Sequence, residues 1–404
     1  MNNCGFNLAL PTSGKGVHTV PKICRDLQMA EQVGMKILVH DESTYGFKGY
    51  IDLAKKNQYS YDETYAMLER DKTHIQSNID TFKQYDSFQG VNVYDEPSMD
   101  YFNAIKACHD WFLKYYPGYE FYFVLLPIEA PDERLWGSMA GQEKTYSDYL
   151  YEFSKILSGS LSSDYYPILN DGKGNIVIKE DYYKNLNMIA AEAKAHNIPV
   201  YVYVQTMGFL DRPQITTYEE VAWQVYTSMA FGVEGIITFQ YWPQLQDGDN
   251  VSDGIVKHDG TPTALYDKVK QVFDEVKGMQ DAYLHYQWNG VYAHDAGGDN
   301  KMFSVMGTHL SGLEAIATVN CSQDVIIGEF KDEENRYAYM VTNATSPLEP
   351  KSATVSLSFS QEYNWAMVIQ KGERTVMKLN NHVLNMTIGS GEGSFVVPLK
   401  TATK

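Results

Sequence analysis

Up to about residue 280, short apolar runs alternate with longer amphipathic segments, and few folds satisfy that alternation. The runs cover residues 5–10, 35–39, 90–94, 121–126, 156–161 (the weakest), 200–204 and 235–239. Between them lie stretches with helical spacing at 20–32, 62–85, 101–115, 147–153, 181–196, 217–231 and 263–279. In the first stretch Ala30 and Val33 continue the apolar period set by Ile23 and Leu27. Nearly continuous apolar strands separated by helices imply a parallel sheet covered on both faces. Seven such strands can be counted, and the first starts close to residue 1. A closed eight-stranded barrel therefore either lacks its first strand in this sequence or fills the gap with a later segment such as 288–292. An open doubly wound sheet would gather its polar groups at one switch point. Here polar residues follow at least five strands, which favours an α/β fold of the (β/α)8, TIM-like kind.

Beyond about residue 282 the pattern changes. Segments 302–306, 313–319, 325–330, 337–341, 353–359, 365–369, 375–379 and 394–399 are short, often alternating, and separated by Asn, Gly, Ser and Lys without helical stretches. That reads as an all-β antiparallel sandwich. The expected organisation is a barrel over 1–281 and a sandwich over 282–404. A chain of 404 residues with 44% hydrophobic and 13% aromatic content has enough apolar material for both.

The net charge of −18 argues against a nucleic-acid groove, which needs Lys and Arg, and leaves neutral ligands open. Cys4, Cys24, Cys108 and Cys321 are scattered without metal-ligand spacing, so no metal site is expected. No phosphate-cradling glycine motif occurs and no cofactor is expected. No apolar run is long enough to span a membrane, and no basic-then-apolar leader is visible. The expected location is cytoplasmic, or secreted with the export signal absent from this sequence. An unfilled edge at the first strand would favour pairing of two copies.

The candidate chemistry sits where strands end, the position at which a barrel displays reactive groups. Asp95-Glu96-Pro97 follows Val91-Asn92-Val93-Tyr94, and Pro97 disfavours helical geometry at Glu96. Asp164-Tyr165-Tyr166-Pro167 repeats the pattern. His40 and Asp41 follow the 35–39 run, Gln205 follows 200–204, and Tyr241-Trp242 follows 235–239. Asn7 lies on the first run. Carboxylates, amides and rings at one rim suit a carbohydrate, because a ring offers an apolar face and a tyrosine adds a hydroxyl. Glycosidic cleavage usually needs a proton donor and a second carboxylate. Glu96 is the expected acid and Asp164 the expected base or nucleophile, with Asp41 next in line. Asn7, His40, Asp41, Asp95, Tyr166, Gln205, Tyr241 and Trp242 are expected to contact substrate. Glu129, Asp132 and Glu133 read mainly as solvated loop and helix-start charges.

On Asp95-Glu96-Pro97 the chain resembles the (β/α)8 glycoside hydrolases of the family 5 and family 42 clan, which carry Asn-Glu-Pro after the fourth strand. The resemblance covers roughly residues 3–280 and implies that Glu96 is the acid/base. If an N-terminal strand is missing, residues 90–94 become the fourth strand and the register agrees. It also implies that Trp242 is the ring beneath the reacting sugar. Two departures matter. Asp95 replaces the clan's Asn, and Gln205 stands where the clan's nucleophilic Glu belongs. An amide cannot attack as a carboxylate. The sequence therefore supports two expectations: a hydrolase of oligo- or polysaccharides using another carboxylate, or a noncatalytic carbohydrate-binding protein on the same scaffold.

Overall fold

The structure, a computed structural model, describes residues 1–11, 18–156, 159–243 and 251–401. They form two compact units, residues 1–164 with 195–199, and residues 165–194 with 200–404.

The first unit alternates strands and helices: β1 (Leu8–Ala9), α1 (Val20–Gln32), β2 (Lys36–Val39), α2 (Phe47–Asn57), α3 (Tyr61–Arg70), α4 (Lys72–Phe82), β3 (Phe88–Asp95), α5 (Phe102–Tyr115), β4 (Glu120–Val124), α6 (Asp132–Trp136), α7 (Tyr146–Ser154) and β5 (Leu161–Asp164). Strands β1 to β4 form a parallel sheet in chain order. β5 continues it, since Leu125 bridges Ser163 in parallel and the Leu125 N–H donates to the Ser162 carbonyl at 2.8 Å. Helix α1 has Pro in its first turn and buries Ile23, Leu27 and Ala30, as its spacing requires. Ser60 and Glu63 close a capping box at the start of α3.

Three expectations change here. The first run yields only the two-residue β1, because Asn2–Cys4 folds as a 3-10 turn. The stretch 62–85 is two helices broken at Asp71, whose carboxylate accepts from the Tyr50 hydroxyl at 3.1 Å and pairs with Arg70. The weak 156–161 strand, of which residues 157 and 158 lie outside the described residues, is displaced to Leu161–Asp164. Two buried serines hide it from an apolar count. Ser162 is satisfied by the Tyr122 hydroxyl at 2.7 Å.

The second unit contains the hairpin β6 (Ile168–Asn170) and β7 (Ile176–Ile178), then α8 (Tyr182–His196), β8 (Val200–Gln205), α9 (Tyr218–Ala230), β9 (Gly235–Phe239) and α10 (Tyr266–Tyr283). β8 and β9 pair in parallel from Tyr201↔Gly235 to Gln205↔Phe239. There follow β10 (Gln287–His294), α11 (Lys301–Val305), β11 (Ile316–Cys321), β12 (Val325–Lys331), β13 (Tyr337–Asn343), β14 (Ala353–Phe359), β15 (Trp365–Gln370), β16 (Glu373–Lys378), β17 (Val383–Ile388) and β18 (Gly393–Leu399). These strands build a six-stranded antiparallel sheet, β10-β12-β13-β18-β15-β16, and a three-stranded one, β11-β14-β17. The two enclose one apolar core that includes Val325, Tyr339, Val341, Leu357, Leu384 and Val396.

The segment 288–292 therefore fills no gap among the parallel strands; as part of β10 it pairs antiparallel with β12. Residues 302–306 are not a strand, because the Asn300 side chain accepts from the Met302 and Phe303 N–H groups and starts a helical turn. β17 was not anticipated. It is reached through a two-residue turn in which Asn381 and His382 both have positive φ, the geometry that matches strand twist. All four cysteines are free thiols. Among the described residues no helix is long and apolar enough to cross a membrane.

Candidate active site

Everything at the site follows from how β3 ends. Its eight residues outrun both neighbours, with register shifts against β2 and β4. Gly90 permits the approach to β4, since a Cβ there would lie 2.0 Å from the Glu120 carbonyl oxygen. The Glu96 N–H extends the ladder by donating to the Val124 carbonyl at 3.0 Å. Glu96 itself has φ +46°, a left-handed conformation that non-glycine residues adopt at some cost. Two tyrosines of α7 hold the exits of β3 and β4. The Tyr149 hydroxyl donates to the Pro97 carbonyl at 2.6 Å, and the Tyr146 hydroxyl to the Leu126 carbonyl at 2.9 Å.

Three carboxyls gather there. The Asp164 carboxyl, at the end of β5, lies close enough to Glu96 and Asp95 for their charges to act on it. Its Oδ1 is buried with no hydrogen-bond partner among the described residues. Burial, then the neighbouring Glu96 and Asp95 charges, push the Asp164 carboxyl well above the usual carboxylate range. Asp95 is exposed, and crowding by protein atoms together with Glu96 pushes it up to about 6, against an opposing pull from Arg134.

Arg134 of α6 completes the cluster by an ion pair with Glu96 Oε2. The Glu96 side chain is 25% exposed and that of Arg134 55%. α6 is only five residues long, yet its frame is firm. Trp136 is buried beneath the Lys144 ammonium at 4.8 Å, and Asp100 accepts from the Ser138 N–H at 2.9 Å while also pairing with Lys55. Arg134 and the α7 tyrosines escaped the sequence reading. An arginine among Asp132 and Glu133 on a loop looks like one more solvated charge; its position one strand after Asp95-Glu96-Pro97 was the available signal.

The other first-unit candidates are placed differently. His40 is buried at the end of β2. Its Nδ1 meets the Asn92 carbonyl at 2.9 Å, Nε2 lies 3.6 Å from Glu42, and burial lowers its pKa, favouring the neutral ring. Because a carbonyl only accepts, Nδ1 carries the proton and Nε2 the lone pair. Asp41 folds into its own loop, accepting from the Ser43 N–H at 2.9 Å and the Asn78 amide at 3.2 Å. Asn7 precedes β1, and its carbonyl accepts from Lys36 at the start of β2. It therefore marks the N-terminal end of the sheet, a strand's length from Glu96, and the structure does not bring the two together.

In the second unit Tyr166 is buried against Phe209 and Phe239, with ring centroids at 5.1 and 5.5 Å. Gln205 is fully buried. Its Nε2 donates to the Pro213 carbonyl at 2.7 Å and lies 3.4 Å from that of Met207, and its backbone is held by the Gln224 amide. It thereby clasps the 207–213 loop, which closes on itself through paired Phe209 and Arg212 backbone bonds and carries Leu210, 84% exposed, at its tip. Tyr241 is half-buried, and its carbonyl accepts from Val256 at 2.9 Å. Trp242 is 45% exposed, with Nε1 bonded to the His258 carbonyl at 3.0 Å. Among the described residues no group of three His, Cys, Asp or Glu side chains is arranged to hold a metal ion.

A buried carboxyl that favours its proton, against one neutralised by arginine, is an arrangement able to donate a proton and present a carboxylate at one point. No family model matches the chain, and no curated protein is similar to it in sequence. Among solved structures, a glycoside hydrolase family 5 protein from Bacteroides vulgatus is similar at 11% identity, over 98% of this chain and 84% of that one, with a TM-score of 0.51. An Anoxybacillus alpha-amylase also matches, at 11% identity over 100% and 89% of the two chains and a TM-score of 0.48. The likeness to the Bacteroides protein shows the fold: a TIM-like α/β arrangement with a β-rich C-terminal part.

Proposed function

We propose that this chain is a glycoside hydrolase that cleaves an O-glycosidic bond in an oligo- or polysaccharide, with Glu96 and Asp164 as its two carboxyls. One observation carries the reading: carboxyls from the ends of two parallel strands, β3 and β5, lie close enough to act on each other, and Oδ1 of the half-buried Asp164 has no hydrogen-bond partner among the described residues. A structural carboxylate is normally paired and ionised, so two that face each other at a strand end suit proton transfer better than packing. The resemblance around Asp95-Glu96-Pro97 and the family 5 fold likeness point the same way. Trp242, 45% exposed, is a ring of the kind that can pack on a sugar. His40 Nε2 is an acceptor suited to a hydroxyl, while Gln205 and Asp41 act through their loops.

The test is turnover of oligosaccharides and alkyl glycosides, whose leaving groups need a proton, by the wild type and by Glu96→Gln and Asp164→Asn. Hydrolysis by the wild type, reduced at least a hundredfold in both variants while circular dichroism is unchanged, supports the reading. Full activity in either variant refutes it. The second reading, binding without cleavage, draws on the buried amide of Gln205 where the clan it resembles has its nucleophile. Saturable oligosaccharide binding with no product from the wild type would favour it.

A further inference from the structure

We infer that Arg134 is a positioning residue that decides where the proton of the carboxyl pair resides, keeping Glu96 as the carboxylate and leaving Asp164 as the proton donor. This rests on the glycosidase reading above, and it exchanges the roles that the three-residue motif suggests.

Among the described residues, these titratable and charged groups act on the pair. Asp95 and Glu96 come from the end of β3, Arg134 from α6, Tyr146 and Tyr149 from α7, and Asp164 from β5. Both tyrosine hydroxyls donate to backbone carbonyls, and burial raises their pKa values, so they stay neutral. Arg134 is thus the one cation in this set, and it pairs with Glu96. Two neighbouring carboxyls resist ionising together, and the member beside a cation keeps the charge. Asp164 has the opposite surroundings: two acidic neighbours and a buried Oδ1 without a partner. Burial of Trp136 and the Asp100–Ser138 bond fix the segment that carries Arg134, so the bias is built into the resting site.

In the reaction the Asp164 proton passes to the glycosidic oxygen as the bond from that oxygen to the anomeric carbon breaks, and the bonding electrons leave with the alcohol. The Glu96 carboxylate takes the anomeric carbon as an ester. Water then attacks that carbon, its proton returns to the Asp164 carboxylate, and Glu96 is released as a carboxylate with the free sugar. Both side chains end as they began.

The experiment follows the two carboxyls directly, by NMR titration of full-length protein labelled with carbon-13 at Asp Cγ or Glu Cδ. Asp164→Asn and Glu96→Gln assign the signals. In the wild type Asp164 should lose its proton at higher pH than Glu96. Arg134→Gln should narrow that gap by about one pH unit or more, the scale of an adjacent opposite charge, and Arg134→Lys should restore part of it. Glu96 titrating above Asp164, or a gap unchanged in Arg134→Gln, overturns the inference. A kinetic arm uses dinitrophenyl glycosides, whose leaving group needs no proton. Asp164→Asn should retain turnover of these and Glu96→Gln should lose it, whereas the reverse pattern overturns the role assignment and spares the two-carboxyl reading. Wild-type protein that titrates as expected but turns over no glycoside defeats the hydrolase reading, while the proton's place on Asp164 stands.

Discussion

Gln205→Glu changes one buried amide nitrogen to oxygen and places a carboxyl at the end of β8. The surroundings call for a donor at Nε2, while Oε1 is buried with no hydrogen-bond partner among the described residues. Nε2 donates to the Pro213 carbonyl at 2.7 Å and lies 3.4 Å from the Met207 carbonyl, and the side chain is fully buried. An ionised glutamate would turn its charge onto those oxygens, and an uncompensated buried charge costs about 3–5 kcal/mol. The alternative is to take up a proton and donate to Pro213 alone. From an unfolded value of about 4.3, holding that proton at pH 7 costs up to about 3.7 kcal/mol, at about 1.36 kcal/mol per unit. The weaker contact to Met207 is then lost as well, worth about 1 kcal/mol. Either route destabilises the protein by roughly 3–5 kcal/mol at pH 7 and by about 1 kcal/mol at pH 4. The sign follows from linkage: the folded pKa of this glutamate is raised, so the penalty is small below the unfolded value and grows as pH climbs toward the folded one. Urea unfolding of both proteins at pH 4 and pH 7 measures it. A variant as stable as the wild type at pH 7, above all one that gains hydrolytic activity, would show that Gln205 is open to the site and not a clasp.

Asp164→Asn should show the converse pH dependence. The Asp164 carboxyl is held above its ordinary range, so over the window from about 3.9 up to its folded value the native state binds the extra proton, and wild-type stability falls as pH rises. The variant's stability relative to wild type should therefore increase from pH 4 to pH 8 in urea melts; a constant difference contradicts the burial argument. Retaining enzymes hold their two carboxyls about 5–5.5 Å apart and inverting enzymes about 6.5–9.5 Å, and carboxyls as near as those of Glu96 and Asp164 suit the shorter spacing. Anomeric NMR of the first product should accordingly show retained configuration, and inversion would rule out direct attack by Glu96. Tyr149→Phe removes the hydrogen bond to the Pro97 carbonyl and should lower stability by about 1–2 kcal/mol. Thermal unfolding with unchanged midpoint would show that α7 does not brace the turn.

Strands β2, β3, β4, β8 and β9 were legible because a parallel strand covered on both faces is a continuous apolar run. β5 was not, since Ser162 and Ser163 are buried although polar, Ser162 through a bond with the distant Tyr122 hydroxyl that apolarity cannot register. Residues 302–306 misled because a five-residue apolar stretch fits strand or helix, and the Asn300 cap decides. At the site, the prolines after Glu96 and after Tyr166 pointed to strand exits. That Glu96 meets Asp164 needed the sheet order, which depends on contacts far apart in sequence. Arg134 was hidden by its neighbours' charges, and Asn7 was misplaced because a two-residue strand gives no pattern from which to tell its start from its end.

Of the six tryptophans, Trp242 stands 45% exposed with its indole edge on the His258 carbonyl, Trp288 and Trp365 are half-buried, and Trp111, Trp136 and Trp223 are fully buried. The protein therefore carries an intrinsic optical probe. Acrylamide should quench the red-shifted emission of Trp242 and leave the blue-shifted emission of those three largely untouched, and Trp242→Phe identifies the signal. A sugar that stacks on this ring would shield it, so oligosaccharides can be screened by loss of quenching before any substrate is known to be cleaved.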